Sequence, residues 1–464
     1  MFKKEVYLER RSRLKSMVQE GIIFFCGNVD SPMNYPANTY KWRQDSNFLY
    51  FFGLDYPRMA GIIDIDNDRE YIFGDDVSLD DIIWMGPQPT TAELASEVGV
   101  KNTLPWSGVR EKIADAFDKG RKIHFLPPYR GETSILLESL LGIHPAEQKK
   151  QASVELIKAV VKLRSIKDNY EIAELEKAME TAWLMHTTAM KMAKPGIYER
   201  DIAGVIEGIA LSSGGMLSFP AIVTKRGETL HNHYHGNKLE AGDLLLVDAG
   251  TESPLHYATD HTRTSPVGGK FTAMQKDIYE IVLEAQIKAI NAIKPGITNK
   301  SVHLLAARTL AEGLKGLGLM KGDLEAAVEQ GAHALFMPHG LGHMMGLDVH
   351  DMEDLGEDYV GYDDEVKRSD IFGTAFLRLG RKYESGFVLT VEPGCYFIPA
   401  LIEKWKSEKK FADFINYDKL QPYMNFGGIR IEDDILVTDN GHKIMGKPIP
   451  KTVKEVENLI QESL

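Results

Sequence analysis

Short apolar runs at residues 21–26, 48–53, 60–65, 70–73 and 122–126, punctuated by Gly, Asp and Pro, read as strands with helical patterns between some of them. They predict a small α/β domain over residues 1–160. After Arg164-Ser-Ile-Lys-Asp-Asn-Tyr-Glu171 the spacing changes, and Ile172, Leu175, Met179, Trp183 and His186 recur at helical intervals. These residues mark a core face, with His186 an interior histidine. Lys194-Pro-Gly-Ile197 and Lys294-Pro-Gly-Ile297 each close a helix, because Gly terminates it and Pro cannot donate to it, and another helical pattern follows each. Each pattern leads to a strand ending in an acid. A helix-helix-strand unit used twice predicts two related halves within a second domain, 161–464, whose sheets meet at one place.

The two acid-bearing strands are nearly the same phrase: Glu240-Ala-Gly-Asp-Leu-Leu-Leu-Val-Asp248-Ala-Gly250 and Glu384-Ser-Gly-Phe-Val-Leu-Thr-Val-Glu392-Pro-Gly394. A carboxylate at the end of a buried strand loses its hydration and must find a cation or a proton. Either copy alone reads as an acid starting a turn; the repetition at one offset from one glycine points to a shared cation. Asp260 lies in Tyr257-Ala-Thr-Asp260-His-Thr-Arg-Thr264, whose alternation suits the second arm of a hairpin begun by the Asp248 strand. In Gly428-Ile-Arg430-Ile-Glu432, Arg430 and Glu432 project from one face of a strand. A nitrogen ligand is expected from Pro338-His339-Gly-Leu-Gly-His343-Met-Met-Gly-Leu-Asp-Val-His350-Asp351, a glycine-rich stretch in which backbone can approach a ligand closely.

Charge counting sets the occupant. Asp248, Asp260, Glu392 and Glu432 carry four negative charges, which two divalent cations neutralise and one does not. Oxygen-rich ligation with one imidazole suits Mn(II), the first choice, and also Co(II), Zn(II) or Fe(II); the lack of thiolate ligands argues against a structural zinc. A dinuclear pair of this kind serves metal-assisted hydrolysis.

The ordered set Asp248, Asp260, His343, Glu392 and Glu432 resembles the five-ligand signature of the pita-bread dinuclear metallopeptidases, in particular the Xaa-Pro aminopeptidase and prolidase family, over roughly residues 160–445. Trp42-Arg-Gln-Asp-Ser-Asn-Phe-Leu-Tyr-Phe-Phe-Gly53 resembles a phrase of that family's N-terminal domains. The resemblance implies a creatinase-like α/β domain followed by an α+β pita-bread catalytic domain with a pseudo-twofold repeat. It implies that His231 and His350 face the substrate, that Glu392 is both ligand and proton acceptor, and that His339 lines a proline pocket. Arg430 would orient carboxylate ligands from behind, and Arg378 resembles the arginine that captures a dipeptide's free carboxylate. His233 and His235 depart from the family phrase and read as rim residues. Peptides with proline at the second position are the implied substrates. A homo-oligomer, dimer or tetramer, is the implied assembly, with the N-terminal domain limiting access and Trp84 a candidate for reaching a neighbouring subunit.

Composition narrows the partners. With 54 basic and 67 acidic residues the formal charge is −13, which disfavours nucleic acid and anionic membrane. Cys26 and Cys395 are too few for a disulfide framework, and no signal peptide or bilayer-spanning run is legible, so a cytoplasmic protein is expected. The first reading is an Xaa-Pro aminopeptidase. A prolidase restricted to dipeptides is the alternative, favoured by Phe336-Met-Pro-His-Gly-Leu-Gly-His343, by the gap from Glu392 to Glu432 and by Arg378. A pita-bread domain serving only as a non-catalytic binding module is the alternative of another class, and the complete ligand set speaks against it.

Overall fold

Four of the apolar runs expected as strands build one sheet. In the computed structural model, which describes residues 1–462, its order is Asn102–Leu104, Arg69–Phe73, Ala60–Asp64, Ile22–Cys26, Ile123–His124. The three central strands pair antiparallel and the two edge strands join in parallel, so helices must carry the chain back across the sheet. This sheet belongs to a compact unit made of Met1–Arg164 and the short segment Glu353–Tyr359.

The run at 48–53 is not a strand. Ser46–Phe52 is an α-helix, started by the Asp45 carboxylate accepting from the Phe48 N–H and ended by Gly53 at φ 65°. Every residue of that helix is buried, so its sequence carries no polar face from which a helical period could be read.

The second unit comprises Ser165–Met352 and the chain from Val360 onward. Its helices come in two pairs, Asn169–Lys191 with Glu199–Ser212 and Ala273–Ala292 with Asn299–Gly316, and each Lys-Pro-Gly turn joins the members of one pair. The first pair leads to a sheet of His261–Pro266, Leu244–Ala249 and Ile222–Thr224, and the second to one of Val388–Val391, Asp433–Thr438 and Gly441–Ile444. Apolar residues of both helices and strands close each half: Met185, Ile202, Ile206, Leu245 and Val247 pack in one core, Ile278, Val282, Leu310, Ile429 and Ile431 in another.

The expected hairpin is present, with Thr262 opposite Asp248 and Asp260 just before the second arm. The single strand expected to carry both Arg430 and Glu432 is interrupted. Gly428–Arg430 pairs with Gly394–Tyr396, whereas Asp433–Thr438 pairs with Val388–Val391, and Glu432 falls in the gap. The break follows from Pro393, which has no N–H to continue a ladder. Glu432 instead donates its N–H to the Thr262 carbonyl at 3.1 Å, so the two halves join at this residue. Among the described residues no helix is long and apolar enough to cross a membrane.

Candidate metal centre

All ten residues singled out by sequence line one cavity of about 300 Å³ in the second unit: Asp248, Asp260, His343, Glu392 and Glu432, with His231, His339, His350, Arg378 and Arg430. Secondary structure explains the convergence. Asp248 sits on the strand Leu244–Ala249, Asp260 leads into His261–Pro266, and Glu392 follows Val388–Val391. His343 is held beside the last of these, because its N–H donates to Thr390 Oγ1 at 3.1 Å while the Thr390 N–H donates to the His343 carbonyl at 3.0 Å.

The imidazole of His343 is oriented by a 3.0 Å hydrogen bond between Nδ1 and the Met344 carbonyl. That bond leaves the Nε2 lone pair turned toward the acids, 3.4 Å from Asp260 Oδ2 and 3.7 Å from Glu392 Oε1. Ligand atoms of Asp260, His343 and Glu432 all lie within 4.8 Å of one another. Asp248 Oδ1 and Asp260 Oδ1 are buried without a hydrogen-bond partner. Buried carboxylate oxygens without donors, around an imidazole nitrogen lone pair, are the donor set that a hard or borderline divalent cation satisfies. The residues fit a metal.

Electrostatics state the same need. Burial, then the neighbouring Asp248, lifts the Asp260 pKa well above the carboxylate range; burial, then Asp260, does the same to Glu432. Burial raises Glu392 to about 8, against the pull of Arg430. Carboxylates shifted this way call for a proton or a cation. Arg430 answers part of the charge from the back: Nη2 donates to Asp248 Oδ2 at 2.6 Å, Nη1 to the Tyr396 hydroxyl at 2.8 Å and Nε to Thr262 Oγ1 at 3.1 Å. The Thr262 hydroxyl in turn donates to Glu432 Oε2 at 2.6 Å.

The histidines border this cluster in different ways. The rings of His343 and His350 meet edge to face, 4.2 Å between centroids. His339 engages Gly340 O through Nδ1 at 2.7 Å and the Tyr396 hydroxyl through Nε2 at 2.9 Å, and burial followed by Arg430 lowers it to about 4. His231 lies on an exposed loop, yet its ring faces the cavity, where desolvation and then Arg430 lower its pKa. Of the two rim residues, His233 lines the cavity, while His235 bonds the Ala221 carbonyl at 3.1 Å. Interior His186 is buried and bonded through Nε2 to the Ala249 carbonyl at 2.9 Å.

Sequence reading passed over Thr262, Tyr396 and the apolar walls Phe219 and Phe376. Thr262 carried a signal: two residues beyond Asp260 on an alternating strand, it shares a face with that acid. Tyr396 and the two phenylalanines carried none.

Comparison with known proteins agrees with this geometry. Residues 173–439 match the model of metallopeptidase family M24, and residues 7–124 that of the aminopeptidase P N-terminal domain. Human Xaa-Pro dipeptidase is 32% identical over 461 residues, covering 96% of this chain and 90% of that protein. A probable Xaa-Pro aminopeptidase of Botryotinia fuckeliana is 32% identical over 448 residues, covering 96% and 93%. Zinc-substituted Escherichia coli aminopeptidase P in complex with product superposes with a TM-score of 0.82 at 28% identity, covering 100% of this chain and 99% of that one.

Proposed function

From the premise that this chain belongs to metallopeptidase family M24, we propose that it hydrolyses the bond between an N-terminal residue and a following proline. The observation that carries the reading is the convergence of four carboxylates and His343 in one cavity with four further histidines and Arg378. Asp248, Asp260, His343, Glu392 and Glu432 would hold two divalent ions, Mn(II) first and Co(II), Zn(II) or Fe(II) as alternatives. When bound, such ions activate water for attack and offset the negative charge that develops on the carbonyl.

The chain's own groups supply the rest. Glu392 accepts the proton of the attacking water and returns it to the departing proline nitrogen. His350 and His231 face the cavity and hydrogen-bond the substrate's carbonyls. Arg430 fixes Asp248, and Thr262 fixes Glu432, so the acids need not reorganise during the reaction. Both nitrogens of His339 are engaged with Gly340 and Tyr396, which presents a ring rather than a polar acceptor to the substrate. Proline's tertiary amide has no N–H to satisfy, so such a wall favours it over residues that would lose a hydrogen bond there.

The N-terminal unit is proposed to limit access and to mediate a dimer or tetramer. The helix Leu79–Met85 has no buried residue, and its Trp84 is 85% exposed, which suits an assembly surface. A fully active monomer, measured by solution mass, would defeat this part. Free Cys26 and Cys395 suit a reducing, cytoplasmic setting.

Arg378 on the cavity wall supports the second reading, a prolidase restricted to dipeptides. The deciding experiment compares kcat/KM on an Xaa-Pro dipeptide and on the same peptide extended by two residues, in wild type and Arg378→Ala. Release of the first residue from the extended peptide is expected; cleavage of the dipeptide alone overturns the aminopeptidase reading. If Arg378 holds a free carboxylate, its removal costs about 1.5–3 kcal/mol in transition-state binding for dipeptides and less for longer peptides.

A further inference from the structure

An ion pair closed to solvent lies beneath the loop that carries His343 and His350. Lys167 Nζ stands 2.7 Å from Asp351 Oδ2, and both side chains are 1% exposed. Burying two charges is costly, and well-packed apolar groups in place of such a pair are often neutral or better for stability. Stability is therefore a weak reason for its presence, and the geometry offers a stronger one. Asp351 directly follows His350 in the chain. Its N–H donates to the Met344 carbonyl at 2.9 Å and its Oδ1 accepts from the Asp348 N–H at 3.3 Å, closing the stretch 344–351 on itself. Gly346 packs directly on the pair: a Cβ there would stand 2.5 Å from Asp351 Oδ2 and 2.9 Å from Lys167 Cε. On its other side Lys167 donates its N–H to the Gly386 carbonyl at 2.9 Å, at the foot of the strand that leads to Glu392. One lysine thus holds both the loop of His350 and the strand of Glu392.

We infer that the Lys167–Asp351 pair is a clamp that sets the His350 imidazole in the cavity, both acting as positioning residues through His350. The inference rests on the proposed role of His350 toward substrate. A displacement of about 1 Å at a reacting centre costs on the order of 100-fold in rate, and the 4.2 Å contact between the His343 and His350 rings leaves the loop little freedom before one of them moves.

The test uses Lys167→Met, His350→Ala and the two combined, with kcat, KM, bound metal and melting temperature measured on protein as purified and again in excess Mn(II). Lys167→Met is expected to lower kcat on the order of 30- to 100-fold with KM nearly unchanged and bound metal at the wild-type level. Added to His350→Ala it is expected to cost little more, because a residue acting through another then has nothing to act through. Losses that multiply in the combined variant overturn the clamp. So does a loss of bound metal in Lys167→Met that excess Mn(II) restores together with kcat, since that places the effect at His343. Should Lys167→Met fail to fold, Lys167→Met/Asp351→Leu, which removes both charges of the pair together, carries the same comparison against His350→Ala. Wild-type turnover by His350→Ala alone would remove the role of His350 itself, an outcome visible before any change at Lys167.

Discussion

The two halves of the catalytic unit share a frame and differ in what they hang on it. Gly196 donates its N–H to Leu239 O at 2.8 Å, and Gly296 to Tyr383 O at 2.9 Å; Leu239 returns a bond to Ile197 O at 2.8 Å, and Tyr383 to Ile297 O at 2.9 Å. Val267 to Asp243 and Val437 to Phe387 repeat the same bond again. Between its second helix and its acid strand, however, the first half inserts a short excursion bearing His231, and the second a longer one bearing His339, His343 and His350. The acids are set differently too. Asp248 is still inside its ladder, opposite Thr262, with Asp260 just past the end, whereas Glu392 and Glu432 both lie past the last pair, Val391 and Asp433. Duplication supplies a rigid frame, and three of the four acids, Asp260, Glu392 and Glu432, sit where the ladders end, while Asp248 stays within its ladder and is held there by Arg430.

The harshest way to break the comparison is to remove one acid from each half. Asp260→Asn and Glu432→Gln keep volume and lose charge, and each is expected to lower kcat/KM by roughly 1,000-fold or more, exceeding the loss typical of one deleted oxyanion donor. Near wild-type turnover in either metal-loaded variant would take that acid out of the cluster. A milder cut falls on the seam: Thr262 of the first half donates to Glu432 of the second. Thr262→Val is expected to weaken metal affinity or activity about 10- to 100-fold, as deletions behind metal ligands do, read by metal titration beside kinetics.

The pooled acids give a pH test. Burial pushes Glu392 up to about 8 from an ordinary 4.5, and raises Asp260 and Glu432 beside it, so the metal-free fold retains protons that the unfolded chain has lost. Stability of chelated protein should therefore fall as pH rises from about 4.5 to about 8. Divalent ions replace those protons, so loaded protein should escape the fall. Melting temperatures in EDTA and in Mn(II) across this range check the sign; a rise in EDTA would contradict it.

The smallest effect sharpens the comparison most directly. Gly196 and Gly296 have φ of 93° and 85°, and a Cβ at either would meet nothing within 4 Å, so only backbone strain opposes a side chain. Gly196→Ala and Gly296→Ala should each cost about 1–2 kcal/mol, and by the same amount. Unequal midpoints in urea would show that the two turns are not equivalent.

How far sequence reached follows from what each element depends on. The acid phrases, the hairpin and the Lys-Pro-Gly stops were legible because each is fixed by neighbours in the chain. Ser46–Phe52 was misread because burial on all sides erases periodicity. Arg430 was legible as a charge on a strand, but its bonds to Tyr396 and Thr262, 34 and 168 residues away, left no local trace. The interruption at Glu392-Pro393 could have been foreseen from proline; the capture of the Glu432 N–H by Thr262 O could not, since it depends on how the halves meet.

That capture sets an order for the protein's biogenesis. The two hydrogen bonds that Thr262 makes with Glu432 span 170 residues, and Arg263 binds the carbonyls of Ile449 and Pro450 still further along the chain. Contacts so distant in sequence are slow to form, because loop closure costs entropy before the contact rewards it. A nascent chain carries Asp248 and Asp260 long before Glu432 has been made, so on the ribosome it presents acids without a finished cage. A chain cut anywhere between Asp260 and Glu432 would carry the first half's acids without the fourth carboxylate, so the cation-binding set is complete only once the last part of the chain is in place.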